Sequence, residues 1–468
     1  MTTAHIQSVA ILGGGFAGAV TALRLIAAST GQLDLTLVDP ARLGRGIAYA
    51  TGEPDHTVNG FAGGFALHAD RPEHFLEWLA AEAEAGRWAP SVDDLAQASP
   101  PRALYGAYVE RELLNAAARA GERVRLVHRR DRAVDFDGRV VTLASGASLA
   151  AGRVVLATGL HRRRPALGAG LAAHPAFVAD PFAPGAFEGA ERAGHVLLLG
   201  AGLSMLDAVV SLEKRGFRGR YTLVSRSGLL VPLRREVAPW PGTPQAAELP
   251  RNAGEVLGWI RRERRAAAAA GRDWQSLPPL FRQHVGAIWA GLADRDRARL
   301  LHRLLPFWNL AMHRAAAPSF AFLARARAEG RVHSLAGSVT RLDEAGDGLR
   351  ATLRPRGGGA PFPIEADLAV GSLGFEFDWT RIDDPLVKNL LRRGLAVPHP
   401  VGAGIRADRA TQALIDMDGR ISDTLFAVGH PLRGEFFEAS SLNEQIAQAT
   451  RLAAVLVRAD MAAVRQVA

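Results

Sequence analysis

The stretch VAILGGGFAGAVTALRL (Val9–Leu25) predicts the fold of the N-terminal part of this chain. Its beginning, Val9–Leu12, has the composition of a short buried strand, and Phe16–Ala28 has the apolar spacing of a helix. Between them lie three glycines in the spacing G-x-G-x-x-G. A second strand, Leu35–Val38, follows and ends at Asp39. Strand, glycine turn, helix and strand in this order form a βαβ unit of the dinucleotide-binding type.

The glycine turn and the residue after the second strand predict a site for a dinucleotide with free ribose hydroxyls. Gly13 permits the tight turn, Gly15 lets the backbone approach a pyrophosphate, and Gly18 lets the helix pack against the strand. The N-terminus of the helix would face the phosphates, and Asp39 would accept hydrogen bonds from the ribose. The predicted contacts of this first site are Gly13, Gly15, Phe16, Ala17, Gly18 and Asp39.

A second strand-to-helix turn lies in HVLLLGAGLSMLDAVVSL, which begins at His195, and it differs from the first in two ways. Met205 replaces the third glycine, so looser packing of helix on strand is expected. In each unit the second strand ends in the sequence Thr-Leu-Val. When the two units are aligned on this sequence, Ser225 takes the place of Asp39, and Arg226 follows it. Losing a carboxylate and gaining a forked donor favours a 2′-phosphate, so this site is predicted to prefer NADPH. The alternative is that Arg226 is only a surface arginine. The predicted contacts are Gly200, Gly202, Leu203, Ser204, Ser225 and Arg226.

The pattern of the first half of the chain returns in the second half. Short strands over Val124–Leu149 and over Val332–Ile364 predict two antiparallel meanders, each followed by an apolar strand that ends in glycine. We predict an α/β fold with two Rossmann-like dinucleotide-binding domains, arranged as in glutathione reductase, and a helical insertion. The predicted bounds are 1–185 and 365–468 for the first domain, 190–238 and 328–364 for the second, and 239–327 for the insertion.

The composition of the chain excludes several classes of function. The absence of cysteine excludes disulfide frameworks, thiolate metal sites, iron–sulfur clusters and a dithiol relay. The 14 histidines form no H-x-x-x-H or HExxH pattern, so no metal is expected. The net charge is +9, and nearly all of the positive residues are arginines. The densest group of them, at 261–271, is typical of the exposed face of a helix; the alternative is a phosphate-binding surface. We therefore expect no nucleic-acid partner. Without a long apolar span or a secretory signal, we expect a cytoplasmic protein with no membrane partner.

Several further segments, spread over almost the whole chain, indicate a family. They are GGGFAG, GRGIAY (44–49), HTVNG (56–60), DRPEHFLEWL (70–79), PRALYGAYV (101–109), VVLATG, GAGLSMLD (200–207), SRSGLL (225–230), MHRAAAP (312–318) and LFAVGHPLRGEFFEASSLNEQIAQA (425–449). In these segments the chain resembles the two-dinucleotide-binding flavoproteins, and among them bacterial FAD/NAD(P)-binding proteins related to N-hydroxylating and Baeyer–Villiger flavin monooxygenases. The resemblance specifies cofactors better than it specifies a reaction.

The resemblance implies that the first site binds FAD. The FAD contacts that it adds to the glycine turn are Arg45, Asn59, Thr158, Gly159, Gly429 and Glu444. Glu444 would lie near the start of the last helix, whose N-terminal dipole would stabilise negative charge on the reduced flavin. Many relatives carry an aspartate after the last glycine, where this chain has His430.

The two cofactors together imply that hydride passes from the nicotinamide to the flavin, and the electrons then go to oxygen or to another acceptor. Disulfide reductases of this architecture need a cysteine pair, which this chain lacks. The helical insertion favours a monooxygenase, N-hydroxylating or related, that acts on a small polar metabolite with molecular oxygen. Two alternatives stay open: an NAD(P)H oxidase or reductase that passes electrons to a quinone or carrier protein, and a non-catalytic flavin-binding regulatory protein.

The segment PFWNLAMHRAAAP supplies the candidate catalytic residues. Asn309 and His313 are four residues apart on one helix face, and Arg314 follows, so together they could bind an anionic substrate or the phosphates of the nicotinamide cofactor. The alternative is that His313 and Arg314 cap a helix and pair with carboxylates. Trp289 and Trp308 are expected to lie in a core.

Overall fold

Two β-sheets organise the residues that the structure, a computed structural model, describes: 7–163, 165, 171–242 and 248–467. The N-terminal part contains β1 Gln7–Leu12, α1 Phe16–Ala28, β2 Leu33–Val38, α2 Gly46–Tyr49, α3 His74–Glu84, α4 Arg102–Ala120, β3 Val124–Arg129, β4 Ala133–Phe136, β5 Val140–Leu143, β6 Ser148–Ala150 and β7 Arg153–Leu156. The middle part contains β8 His161–Arg162, β9 Phe177–Val178, β10 His195–Leu199, α5 Leu203–Lys214, β11 Arg220–Ser225, α6 Ala253–Ala269, α7 Leu277–Gly291, α8 Asp294–Arg303, α9 Leu305–Met312 and α10 Ala317–Ala328. The C-terminal part contains β12 Val332–Ala345, β13 Gly348–Pro355, β14 Phe362–Ala366, β15 Leu368–Gly371, β16 Phe375–Glu376, α11 Pro385–Arg392, β17 Ala413–Ile415, β18 Ile421–Ala427 and α12 Leu442–Val467.

The first sheet has the strand order β17-β18-β7-β1-β2-β3 and is parallel except for β17. Parallel strands present their carboxyl ends at one edge of a sheet, so the turns after β1, β7 and β18 meet there. Both faces of this sheet are covered, which explains why β1 is apolar. Val9 and Ile11 pack against α1, α4 and α12, while Ala10 and Leu12 pack on the other side with α11 and the small sheet β4–β6.

The second sheet has the strand order β14-β13-β12-β11-β10-β15-β9. Strands β9, β15, β10 and β11 and the start of β12 run parallel, whereas β12, β13 and β14 form an antiparallel meander. Helices α5 and α10 share a core with this sheet, in which Met205 and Leu323 are fully buried.

Helices α6–α9 form a unit with its own core. Trp259, Trp289 and Trp308 are buried in it, as expected for the last two, together with Phe437 from the segment after β18. The unit thus packs against the C-terminal part of the first domain.

The structure corrects the predicted organisation at several points. Strand β3 was predicted within a meander, but it pairs in parallel with β2, so only β4–β6 form that meander. Strand β9 falls within the predicted first-domain range 1–185 and β15 within 365–468, yet both belong to the second sheet. Helix α10, predicted within the insertion 239–327, packs with α5 instead. A short apolar strand has the same pattern in either sheet, so its sequence does not specify its partner.

Candidate functional site

The first glycine turn makes contacts that only glycine allows. A Cβ at Gly13, whose φ is +113°, would lie 2.2 Å from the carbonyl oxygen of Ala157. A Cβ at Gly18 would lie 1.9 Å from the Gly13 oxygen, closer than any side chain can approach. The turn after β1 is therefore packed directly against the turn after β7.

The N-terminus of α1 is open to an anion. Gly15, the N-cap, has no side chain, the first turn carries no acidic residue, and no side chain in the described part of the chain accepts the N–H groups of Phe16 and Ala17. An oxyanion such as a pyrophosphate would satisfy such groups. Asp39 lies beside the turn, where its Oδ2 accepts the Gly14 N–H at 2.7 Å. This arrangement fits the predicted dinucleotide.

Two buried polar atoms without hydrogen-bond partners in the described part of the chain lie after β7, near the edge of the first sheet where its parallel strands end. Thr158 Oγ1 and His161 Nε2 are buried and have no hydrogen-bond partner among the described residues. Gly159 and Gly429 both have a φ in the left-handed region, +71° and +77°, which glycine adopts readily. Burial lowers the pKa of His430 to about 3, although the residue as a whole is only partly buried. This side chain is therefore neutral near pH 7.

The other predicted FAD contacts already bond to protein groups. The Arg45 guanidinium donates to the Ala103 carbonyl oxygen at 2.6 Å, and its Nε is buried without a partner among the described residues. The Asn59 carbonyl oxygen accepts two hydrogen bonds from Arg234, at 2.8 and 3.1 Å. Glu444 accepts a hydrogen bond of 3.2 Å from a glutamine one turn later on α12, and burial raises its pKa. The Asn59 backbone therefore contacts the second domain.

The second glycine turn is more open than the first. A Cβ at Gly200 would lie 2.1 Å from the Ser372 carbonyl oxygen, so the first glycine is again required. A Cβ at Gly202 would meet nothing within 4 Å. Met205 is fully buried where the first unit has its third glycine. Looser packing of α5 on β10 stays a prediction.

The predicted NADPH contacts surround the N-terminus of α5. Gly202, its N-cap, has no side chain, its first turn carries no acidic residue, and Leu203 and Ser204 are partly exposed there. The Ser225 hydroxyl accepts the Gly228 N–H at 3.0 Å. Arg226 is exposed and bonds to no residue that the structure describes, which leaves its guanidinium available to a phosphate.

The candidate catalytic residues lie at the end of the insertion. Helix α9 ends at Met312, so Asn309 is helical, whereas His313 has φ −104° and ψ 73° and Arg314 lies beyond the helix. The His313 N–H still donates to the Asn309 carbonyl oxygen at 2.8 Å, so His313 is the C-cap of α9 and follows Asn309 by one helical turn. Asn309 Oδ1 is buried without a partner among the described residues. The hydrogen bonds of the Arg314 side chain go to Gln275, the shorter at 3.2 Å to Oε1, rather than to a carboxylate.

A buried network between the two domains was not predicted from the sequence. Arg102, at the start of α4, pairs with Asp207 on α5, with 2.5 Å between Nη2 and Oδ1. His56 Nε2 lies 2.9 Å from the Asp207 carbonyl oxygen and 3.1 Å from Ser211 Oγ, and burial lowers the pKa of His56. His56 and Arg102 both contact α5. Tyr105, in the first turn of α4, lies fully buried in a cluster of aromatic rings.

One further group was missed because its members are distant in sequence. His68, His74 and Glu112 place one potential metal-ligand atom each within 4.8 Å of one another. His68 Nε2 lies 3.2 Å from Glu112 Oε2, and His74 Nδ1 lies 2.9 Å from the Tyr108 hydroxyl. These contacts already satisfy the imidazoles as a hydrogen-bonded network.

Comparisons with known proteins agree with this geometry. Residues 10–161 match a family model described as FAD-NAD(P)-binding, and no curated protein matches the sequence significantly. Ornithine N-hydroxylase from Kutzneria sp. 744, in a structure with reduced FAD, NADP+ and L-ornithine, is 12% identical over 97% of this chain and 100% of its own, with a TM-score of 0.65. The reduced ornithine hydroxylase from Pseudomonas aeruginosa is 14% identical over 97% of this chain and 99% of its own, with a TM-score of 0.63. L-lysine 6-monooxygenase from Pseudomonas syringae is 16% identical, covers 97% and 99%, and has a TM-score of 0.60.

The chain therefore shares the two-dinucleotide-binding fold of the solved flavin-dependent N-hydroxylases. The predicted fold class and the predicted resemblance are confirmed. None of the described helices is long and apolar enough to span a bilayer.

Proposed function

We propose that this chain is an NADPH-dependent FAD monooxygenase that oxygenates a small polar metabolite with molecular oxygen, by N-hydroxylation or a related reaction. The observation that carries the proposal is the way α6–α9 cover the segment after β18. Trp289 Nε1 donates to the Gly434 carbonyl oxygen at 2.8 Å, and Trp308 Nε1 donates to Glu438 Oε1 at 2.8 Å. Such a cover excludes water from the reacting groups, which an oxygen-transferring flavoprotein needs.

The residues around the first sheet edge fit FAD. The open α1 N-terminus would bind the pyrophosphate, Asp39 the ribose, and the unpartnered Thr158 hydroxyl the ribityl chain or flavin. When bound, FAD would accept electrons and react with oxygen. The N-terminus of α12 would stabilise negative charge nearby.

The residues around α5 fit NADPH. Its uncapped N-terminus would bind the pyrophosphate, and the exposed guanidinium of Arg226 would bind the 2′-phosphate. His313 lies where the insertion meets both domains. Burial, with the charges of Arg433, Arg282 and Arg234, lowers its pKa to about 4, against the opposite effect of Glu438. Its ring is therefore neutral near pH 7 and can hydrogen-bond a substrate without adding charge.

The fold shared with ornithine and lysine hydroxylases supports an amine or amino acid as the substrate. The test supplies FAD-loaded protein with NADPH, oxygen and a panel of amines and amino acids, and it measures NADPH, hydrogen peroxide and oxygenated product. We expect one compound to yield product in proportion to the NADPH consumed. Peroxide equal to the NADPH consumed with every compound would contradict the proposal and favour an oxidase.

A further inference from the structure

The end of the insertion runs beside the segment that follows β11. Leu233 and Ala315 form a parallel bridge, in which the Ala315 N–H donates to the Pro232 carbonyl oxygen and the Arg234 N–H donates to the Ala315 carbonyl oxygen, both at 2.8 Å. This pairing fixes the positions from which Arg234 and Arg314 extend their side chains.

Two arginines from other elements approach the same region. Arg282, on α7, donates from Nε to Glu438 Oε2 at 3.3 Å. Arg433, after β18, holds its guanidinium carbon 4.4 Å from the centre of the Phe377 ring. The charges of Arg234 and Arg282 act on Arg314, and those of Arg234, Arg282 and Arg433 act on His313. The arginine cluster consists of Arg234, Arg282, Arg314 and Arg433.

Few negative groups balance the arginine cluster. Among the described residues, Glu438 contacts it, but this carboxylate also accepts the Trp308 Nε1–H at 2.8 Å. Asp273 acts on Arg314, yet both of its oxygens accept hydrogen bonds from Arg235, at 2.8 and 2.9 Å. Arg234 donates to a neutral carbonyl group. The cluster therefore carries excess positive charge.

Two members of the cluster are buried with unused donors. Arg314 is 5% exposed and Arg433 is 4% exposed. The Nε of each is buried and has no hydrogen-bond partner among the described residues. Burial lowers the pKa of both to about 10, so both are still charged near pH 7. A buried cation with unsatisfied donors is costly, and a bound anion removes that cost.

The phosphates of the two proposed cofactors have other places to bind, at the N-termini of α1 and α5. The cluster instead comes from α7 and from the segments after β11, α9 and β18. We propose that the arginine cluster binds an acidic group, a carboxylate or a phosphate, on the substrate. This inference rests on the proposed function, because it assigns the cluster to the substrate of that reaction.

Anion binding by the FAD-loaded protein tests the inference. The protein is first saturated with NADP+, so that the cofactor fills its own phosphate sites, and is then titrated with acetate and with inorganic phosphate. Tryptophan fluorescence reports binding, because Trp308 shares Glu438 with Arg282. We expect saturable binding of one of the two anions, which also tells a carboxylate from a phosphate.

The variant Arg314→Gln should weaken this binding about tenfold, the loss expected for one charge-assisted contact. Arg314→Lys retains the charge but loses the two-pronged hydrogen-bonding geometry of the guanidinium. Its affinity for the anion should lie between that of Arg314→Gln and that of the parent protein. The matched control Arg303→Gln removes the same charge from an exposed site on α8 and should bind as the parent does.

Three results would overturn the inference: no saturable binding, binding that disappears on NADP+ saturation, or equal weakening by the control. The second of these would assign the cluster to the cofactor's phosphates. Reduction of the flavin by NADPH without oxygen, measured on the same samples, reports on the proposed function separately.

Discussion

The buried ion pair between Arg102 and Asp207 offers the sharpest test of how the two domains are held together. Arg102 Nη2 and Asp207 Oδ1 lie 2.5 Å apart, and the side chains of Arg102 and Asp207 are 16% and 6% exposed. The Arg102 backbone N–H also donates to the His56 carbonyl oxygen at 2.9 Å, so the same residues join α4 to the loop that lies on α5. Asp207→Ala would leave the Arg102 guanidinium buried without its carboxylate.

We expect Asp207→Ala to lower the free energy of unfolding by about 3–5 kcal/mol, the cost of removing one partner of a buried pair. Urea denaturation of FAD-loaded protein, followed by circular dichroism and flavin fluorescence, measures it. Lys214→Ala is the matched control, because Lys214 pairs with Asp55 across the same interface but is exposed. The control should lose less than about 1 kcal/mol.

A loss in Asp207→Ala no larger than that of the control would refute this account of the interface. A double variant, Arg102→Met with Asp207→Leu, distinguishes the cost of an unpaired buried charge from the loss of other contacts at these two positions. It should recover most of the stability, because neither residue then leaves an unpaired charge.

Three further predictions concern the two cofactor sites and His313. Gly18→Ala should abolish FAD retention, measured by flavin absorbance per protein, because its Cβ would lie 1.9 Å from the Gly13 oxygen; Gly202→Ala, with nothing within 4 Å, should keep its FAD and serve as the control. Arg226→Ala should lower the preference for NADPH over NADH about tenfold in kcat/KM, through loss of a charge-assisted contact to the 2′-phosphate; an unchanged ratio would contradict this assignment. The pKa of His313 is about 4 in the folded chain, below its ordinary 6.5. Between pH 6.5 and pH 4 the unfolded chain therefore binds a proton that the folded chain does not, so the free energy of unfolding falls as the pH is lowered through this range. His313→Asn should therefore lose less stability than the parent between pH 7 and pH 5 in urea denaturation, and an equal loss would argue against burial of the neutral ring.

The two glycine turns could be predicted from the sequence because their information is local. The helix predicted at Phe16–Ala28 has these bounds in the structure, and the second glycine turn is followed by a helix, α5, as its sequence indicates. A G-x-G-x-x-G turn between a strand and a helix uses steric constraints within a few residues, and the clash at Gly18 is an example.

The residues that join separate elements could not be predicted in the same way. Arg102 and Asp207, or Arg282 and Glu438, meet only because of the packing of distant segments, and no periodicity marks such pairs. The place of Arg314 could not be predicted either, because α9 closes with the hydrogen bond from the His313 N–H to the Asn309 carbonyl oxygen and the chain then pairs with the segment after β11. Backbone hydrogen bonds to that segment replace those of another helical turn.

Anaerobic mixing of the FAD-loaded protein with NADPH tests the central claim most directly. The account predicts that NADPH bleaches the visible absorbance of the flavin faster than NADH does, and that the colour returns when oxygen is admitted. A flavin that stays oxidised with both nicotinamide cofactors would contradict the claim that the two sites form one path for electrons.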